Sequence, residues 1–90
     1  MEILATSLSI HGRVQGVYFR ASAQKKAKEL GITGWVQNCF NGTVESHAEG
    51  SKKQLEDFIA WCRQGPPAAS VTSVHSNWIA TKGYSDFDIR

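Results

Sequence analysis

Ninety residues leave room for one small domain, 1–90, and none for a second, cofactor-carrying one. Apolar residues at 41% and charged residues at 20% exclude the depleted composition of a disordered chain. The formal net charge is only +2, and the basic residues Lys25, Lys26, Lys28, Lys52 and Lys53 fall mainly in expected helices, which is faint support for an anionic partner. The opening segment MEILATSLSIHG has no basic n-region and alternates apolar with polar residues, so neither a signal peptide nor a membrane span is expected and the location is read as cytoplasmic. Cys39 and Cys62 are too far apart for a metal knuckle and too few for a disulfide framework, which makes them free thiols in a reducing compartment.

In chain order, Leu4, Thr6, Leu8 and Ile10 share one face at a period of two and predict a half-buried strand over residues 3–11. Phe19, Ala23, Ala27 and Leu30 then recur at helical spacing, with Gly31 at the stop. Residues 34–49 read as two antiparallel strands around Asn41-Gly42, a dipeptide suited to tight hairpin turns. Ser51 with Gln54 forms a capping box, and Leu55, Phe58, Ile59 and Cys62 make the apolar stripe of a second helix that ends before Gly65-Pro66-Pro67. A β-rich run from Ser70 to Ile79 and a terminal FDIR, joined by the polar loop Thr81 to Asp86, complete the order β-α-β-β-α-β with a short extra strand. This is the α+β, ferredoxin-like split β-α-β pattern: two helices packed on one face of an antiparallel sheet of four to five strands.

Fold does not give function, so chemistry has to come from a site. The best candidate is GRVQGVYFR, residues 12–20. It contains no proline, so every backbone N–H from Arg13 to Arg20 is available, and Gly12 and Gly16 permit φ/ψ values that aim successive donors inward. The loop opens onto the first turn of a helix, whose unpaired N–H groups and positive dipole end favour an anion, and Arg20 adds a permanently charged fork suited to phosphate. On composition alone the two glycines serve equally well as a simple strand-to-helix connection. The lysine and hydroxyl of a Walker loop are missing, which argues against a magnesium-nucleotide site.

GRVQGVYFR, followed by GWVQN and then NGTVE, resembles the acylphosphatase family, and the likeness runs in order over nearly the whole chain. The resemblance implies hydrolysis of the carboxyl-phosphate bond of acyl phosphates to a carboxylate and inorganic phosphate, on a ferredoxin-like fold and without a metal or other cofactor. It further implies that the backbone N–H groups of Gln15, Gly16, Val17, Tyr18 and Phe19 cradle the phosphoryl group, that Arg20 binds it too, and that Asn38 positions the attacking water. Alone, Asn38 reads more simply as a turn-closing residue at a strand end. The ring of Tyr18, at a variable position of the motif, is expected to affect substrate access.

Other residues are read as structural. Trp35 and Val36 are expected to pack, Cys39 to be a small side chain at a strand end, and His11, His47 and His75 to lie in separate strands without metal-ligand spacing. The alternative function is a non-catalytic anion- or RNA-binding ferredoxin-like module, against which stands the lack of a basic, aromatic RNA-binding consensus on TVESHAE. A second alternative is the acylphosphatase-like domain of hydrogenase-maturation carbamoyltransferases, disfavoured because the sequence offers no further domain. The expected partners are a small acyl phosphate and its phosphate product, with no membrane, no nucleic acid and a monomeric state.

Overall fold

A period-two pattern builds the first strand, β1 (Leu4–Arg13), in which Thr6, Leu8 and Ile10 are buried while Ser7, Ser9 and His11 alternate with them, in a computed structural model that describes residues 2–90. Helix α1 (Phe19–Leu30) buries Phe19, Ala23 and Ala27 at four-residue spacing and stops at Gly31, whose N–H returns to the carbonyls of Ala27 and Lys28. Strands β2 (Thr33–Asn38) and β3 (Val44–Gly50) pair antiparallel, as the sequence leads one to expect. Helix α2 (Lys52–Gln64) begins with the full Ser51–Gln54 capping box and buries Leu55, Phe58 and Cys62. Strands β4 (Ser70–Ile79) and β5 (Phe87–Ile89) follow.

The sheet runs β4-β1-β3-β2-β5 and the two helices cover one face. Its centre is the ring cluster of Phe58 against Phe87 (5.8 Å between centroids) and Phe19 against Trp61 (5.5 Å). Full burial of each phenyl group contributes about 2–3 kcal/mol by area; Phe58 against Phe87 ties α2 to the sheet, and Phe19 against Trp61 ties the two helices to each other.

Two local features differ from the sequence reading. The sheet is mixed, because β5 pairs parallel with β2 (Gly34↔Phe87, Val36↔Ile89). The cause is the crossing segment 80–86, which carries the chain from β4 at one edge to the opposite edge at the end of the sheet near Glu49, so that β5 starts beside the start of β2. The β2–β3 hairpin is also wider than a two-residue turn. Gly42 N–H donates to the Cys39 carbonyl (3.1 Å) and Cys39 N–H to the Thr43 carbonyl (2.9 Å), leaving three loop residues with Gly42 at φ 89°. That is a turn closed by a glycine bulge rather than a primed turn. Asn41 supports it with its Oδ1, which accepts from the N–H and the hydroxyl of Thr43.

Candidate active site

Between β1 and α1 the buried side chains of Val14, Val17 and Phe19 pin the connection to the core, while Gly16 and Tyr18 between them stay at the surface. The loop is thereby held down by its apolar residues. Gly16 has φ 73° and open space where a Cβ would stand, so its requirement is conformational. Gly12 has a different task. At φ 122° it sits where the β1–β4 register shifts, and a Cβ there would stand 2.2 Å from the Ser70 carbonyl oxygen. It allows close strand approach at a bulge rather than shaping an anion site.

Tyr18 is the one non-glycine with positive φ (65°) among the described residues, and it is the N-cap of α1 without a side-chain cap. No acidic residue occupies the first turn. The first N–H groups of a twelve-residue helix are therefore left without an internal anionic partner, at the positive end of its dipole.

The second wall comes from β2. Alternation places Asn38 on the helix-covered face with Gly34 and Val36, but one step past the cover, so its amide is exposed. Parallel pairing brings Ile89 beside Val36 by the same rule. The result is a cleft of about 350 Å³ whose lining includes Gly16, Tyr18, Phe19, Arg20, Asn38 and Ile89. The sequence-assigned Arg20 and Asn38 thus meet on one cleft with three residues of the loop. Val17, by contrast, presents its side chain to the core, and Gln15 turns its side chain elsewhere.

That side chain is a brace which the sequence did not reveal. Gln15 Nε2 donates to the carbonyls of Cys39 (2.7 Å) and Thr43 (2.9 Å), tying the loop to the hairpin that carries Asn38. Arg20 is fixed by another tie, Nη1 donating to a main-chain oxygen of Arg90 at 3.2 Å. Arg90 is itself held by its N–H to the Val36 carbonyl (2.8 Å), with its guanidinium 4.6 Å from the Trp35 ring centroid.

The histidines lie in separate strands, but His47 is buried, on the sheet face away from the helices. Its Nε2 donates to Glu49 Oε2 at 2.6 Å, and the crossing segment covers both residues, with the backbone N–H groups of Lys82 and Gly83 donating to the same carboxylate. Burial by itself would raise the Glu49 pKa, but the hydrogen bonds from His47, Lys82 and Gly83 outweigh it and hold the carboxyl below its ordinary value. Burial, and then the hydrogen bond from its Sγ to Glu45 (3.1 Å), push the Cys39 thiol up, and burial does the same to Cys62. Neither is poised as a thiolate nucleophile.

Fold and site together define a ferredoxin-like α+β domain with a cleft between the loop that joins its first strand to its first helix and the end of its second strand. Residues 6–89 match the acylphosphatase family model, and the chain belongs to the acylphosphatase family. It is similar to an acylphosphatase of Thermococcus kodakarensis, 44% identical over 89 residues, covering 99% of this chain and 98% of the relative. The structure of an acylphosphatase from Coxiella burnetii superimposes with a TM-score of 0.95 at 41% identity, covering 98% of this chain and 93% of that one. The likeness extends to T. kodakarensis HypF (TM-score 0.84, 27% identity), where 97% of this chain matches 12% of the larger one. Membership makes the chain an enzyme, a hydrolase acting on acyl phosphates. No helix among the described residues is long and apolar enough to cross a membrane.

Proposed function

We propose that the protein hydrolyses the carboxyl-phosphate bond of acyl phosphates by direct attack of water, with no covalent enzyme intermediate and no metal. The phosphoryl oxygens sit against the backbone N–H groups of Gln15, Gly16, Val17, Tyr18 and Phe19, backed by the uncapped start of α1. Arg20 uses the N–H groups not engaged by Arg90 to bind the same oxygens. Asn38 is neutral and accepts no proton at ordinary pH, so it orients the water by hydrogen bonding.

In the reaction, the water oxygen bonds to phosphorus as the bond from phosphorus to the acyl oxygen breaks. The acyl oxygen leaves with the electron pair as a carboxylate, and the water proton passes to a phosphoryl oxygen. A carboxylate is a weak base that departs without a general acid, and a loose transition state chiefly needs positioning and stabilisation of charge on the equatorial oxygens. Backbone donors and one arginine meet that need. The observation that carries this reading is the convergence of Gly16, Tyr18, Arg20 and Asn38 on one cleft at an uncapped helix start. We further read the chain as a single, monomeric, cytoplasmic domain.

The test is hydrolysis of benzoyl phosphate in excess EDTA. Turnover is expected to persist, and Arg20→Gln and Asn38→Ala are each expected to lose about 100-fold or more in kcat, as removal of one transition-state donor does elsewhere, with native-like circular dichroism. Full activity in Asn38→Ala would remove the water-orienting role. Phosphate binding without turnover in the unsubstituted protein would favour a non-catalytic anion-binding module.

A further inference from the structure

We propose that Tyr18 and Ile89 form a subsite for the acyl half of the substrate, and that it selects an apolar, uncharged acyl group, aromatic or branched aliphatic, over a small or an anionic one. The inference rests on the acyl phosphate hydrolase reading above and goes on to say which acyl phosphates the cleft takes.

Three observations carry it. Tyr18 has φ 65°, a backbone region that costs a side chain of its size about 1–2 kcal/mol and that glycine occupies freely. Despite this, Tyr18 is 81% exposed and stands outside the hydrophobic core cluster, yet it lines the cleft. Strain held at a cleft mouth points to a task there. Ile89, 40% exposed at the end of β5, lines the same cleft, delivered by its parallel pairing to Val36. Finally, Arg20 is the one charged residue among the described residues that line the cleft. With the phosphoryl group on Arg20, a second anionic group on the acyl part finds no cation in the lining and loses water without compensation.

The phosphoryl group, bound by the loop backbone and Arg20, leaves the carbonyl and its substituent directed away from the core, toward the exposed ring and the isoleucine. A planar acyl group there stacks on Tyr18 and buries apolar area against Ile89. An acetyl group is too short to reach both.

The experiment compares kcat/KM for benzoyl phosphate, acetyl phosphate and 4-carboxybenzoyl phosphate in the unsubstituted protein, Tyr18→Gly, Tyr18→Phe and Ile89→Ala. Glycine accepts φ 65° without strain, so Tyr18→Gly removes the ring from a loop that keeps its shape, and the ratio between substrates cancels any general change in the loop. The benzoyl-to-acetyl ratio is expected to fall about tenfold in Tyr18→Gly, the value of one ring-on-ring contact. It falls less in Ile89→Ala and is kept in Tyr18→Phe. The carboxylated substrate is expected to be the poorer of the two aromatic ones. An unchanged ratio in Tyr18→Gly, or equal use of the carboxylated substrate, would overturn the subsite. Failure of the unsubstituted protein to hydrolyse any of the three would overturn the hydrolase reading itself, and the subsite with it.

Discussion

Replacing Glu49 by Gln tests whether the buried carboxylate fastens the crossing segment to the sheet. Glu49 is 3% exposed and accepts from three donors: His47 Nε2 and the backbone N–H of Lys82 on Oε2, and the N–H of Gly83 on Oε1. A glutamine oxygen in the Oε2 position keeps two of these bonds, but its NH2 group then faces the Gly83 N–H, and the charge that strengthened the remaining two is gone. One lost bond and two weakened ones amount to about 1–2 kcal/mol, whereas Glu49→Ala, which abandons all three donors in a covered site, costs about 3 kcal/mol. For a domain of this length the Gln substitution lowers Tm by about 5–15 °C. The pH dependence carries its own sign. The folded pKa of Glu49 is below its ordinary value of 4.5, so its contribution is fully present above about pH 5 and is lost as pH falls through 4.5 to the folded pKa. The stability gap between the unsubstituted protein and Glu49→Gln therefore narrows on acidification. Urea unfolding followed by tryptophan fluorescence from pH 7 to pH 3.5 measures both quantities. Equal stability of the two proteins at pH 7, or a gap independent of pH, would refute the reasoning.

Two further substitutions separate the roles of the loop residues. Gly12→Ala is expected to destabilise by about 2–3 kcal/mol, since its Cβ meets the Ser70 backbone at a strained φ, and Gly16→Ala, with free space around it, by only about 1 kcal/mol; paired urea titrations read the difference. Gln15→Ala breaks the two bonds to the hairpin, costing about 2 kcal/mol, and lets Asn38 drift from the loop, so kcat for benzoyl phosphate is expected to fall about tenfold or more with a smaller change in KM.

Much of the fold is legible in the sequence because it is locally determined. The Ser51–Gln54 box and the 19/23/27 stripe are read from spacing alone, and both stand in the structure. The direction of β5 is not local. FDI pairs as readily parallel as antiparallel, and only the path of residues 80–86 across the end of the sheet decides it. The same path hides His47 and Glu49. Nothing within VESHAEG says that a distant segment covers the face that carries His47 and Glu49.

At the candidate site, Arg20 and Asn38 come from motifs, and the structure places both on one cleft. The bracing amide of Gln15 was missed because its acceptors are main-chain carbonyls 24 and 28 residues away, which leave no mark in side-chain identity. The two glycines look alike in the sequence and differ in the structure, since only one faces a neighbouring strand.

The central claim is that phosphate is bound by the backbone of residues 15–19 together with Arg20. Its most direct test is titration of the 15N-labelled protein with inorganic phosphate, following backbone amides and the Arg20 side chain by heteronuclear NMR. The account predicts that the largest shifts fall on the amides of Gln15, Gly16, Val17, Tyr18 and Phe19 and on the Arg20 guanidinium, with a smaller effect at the Asn38 side chain. Shifts concentrated instead at the basic cleft between the helices, around Lys25, Lys26 and Trp61, with the loop amides unmoved, would contradict it.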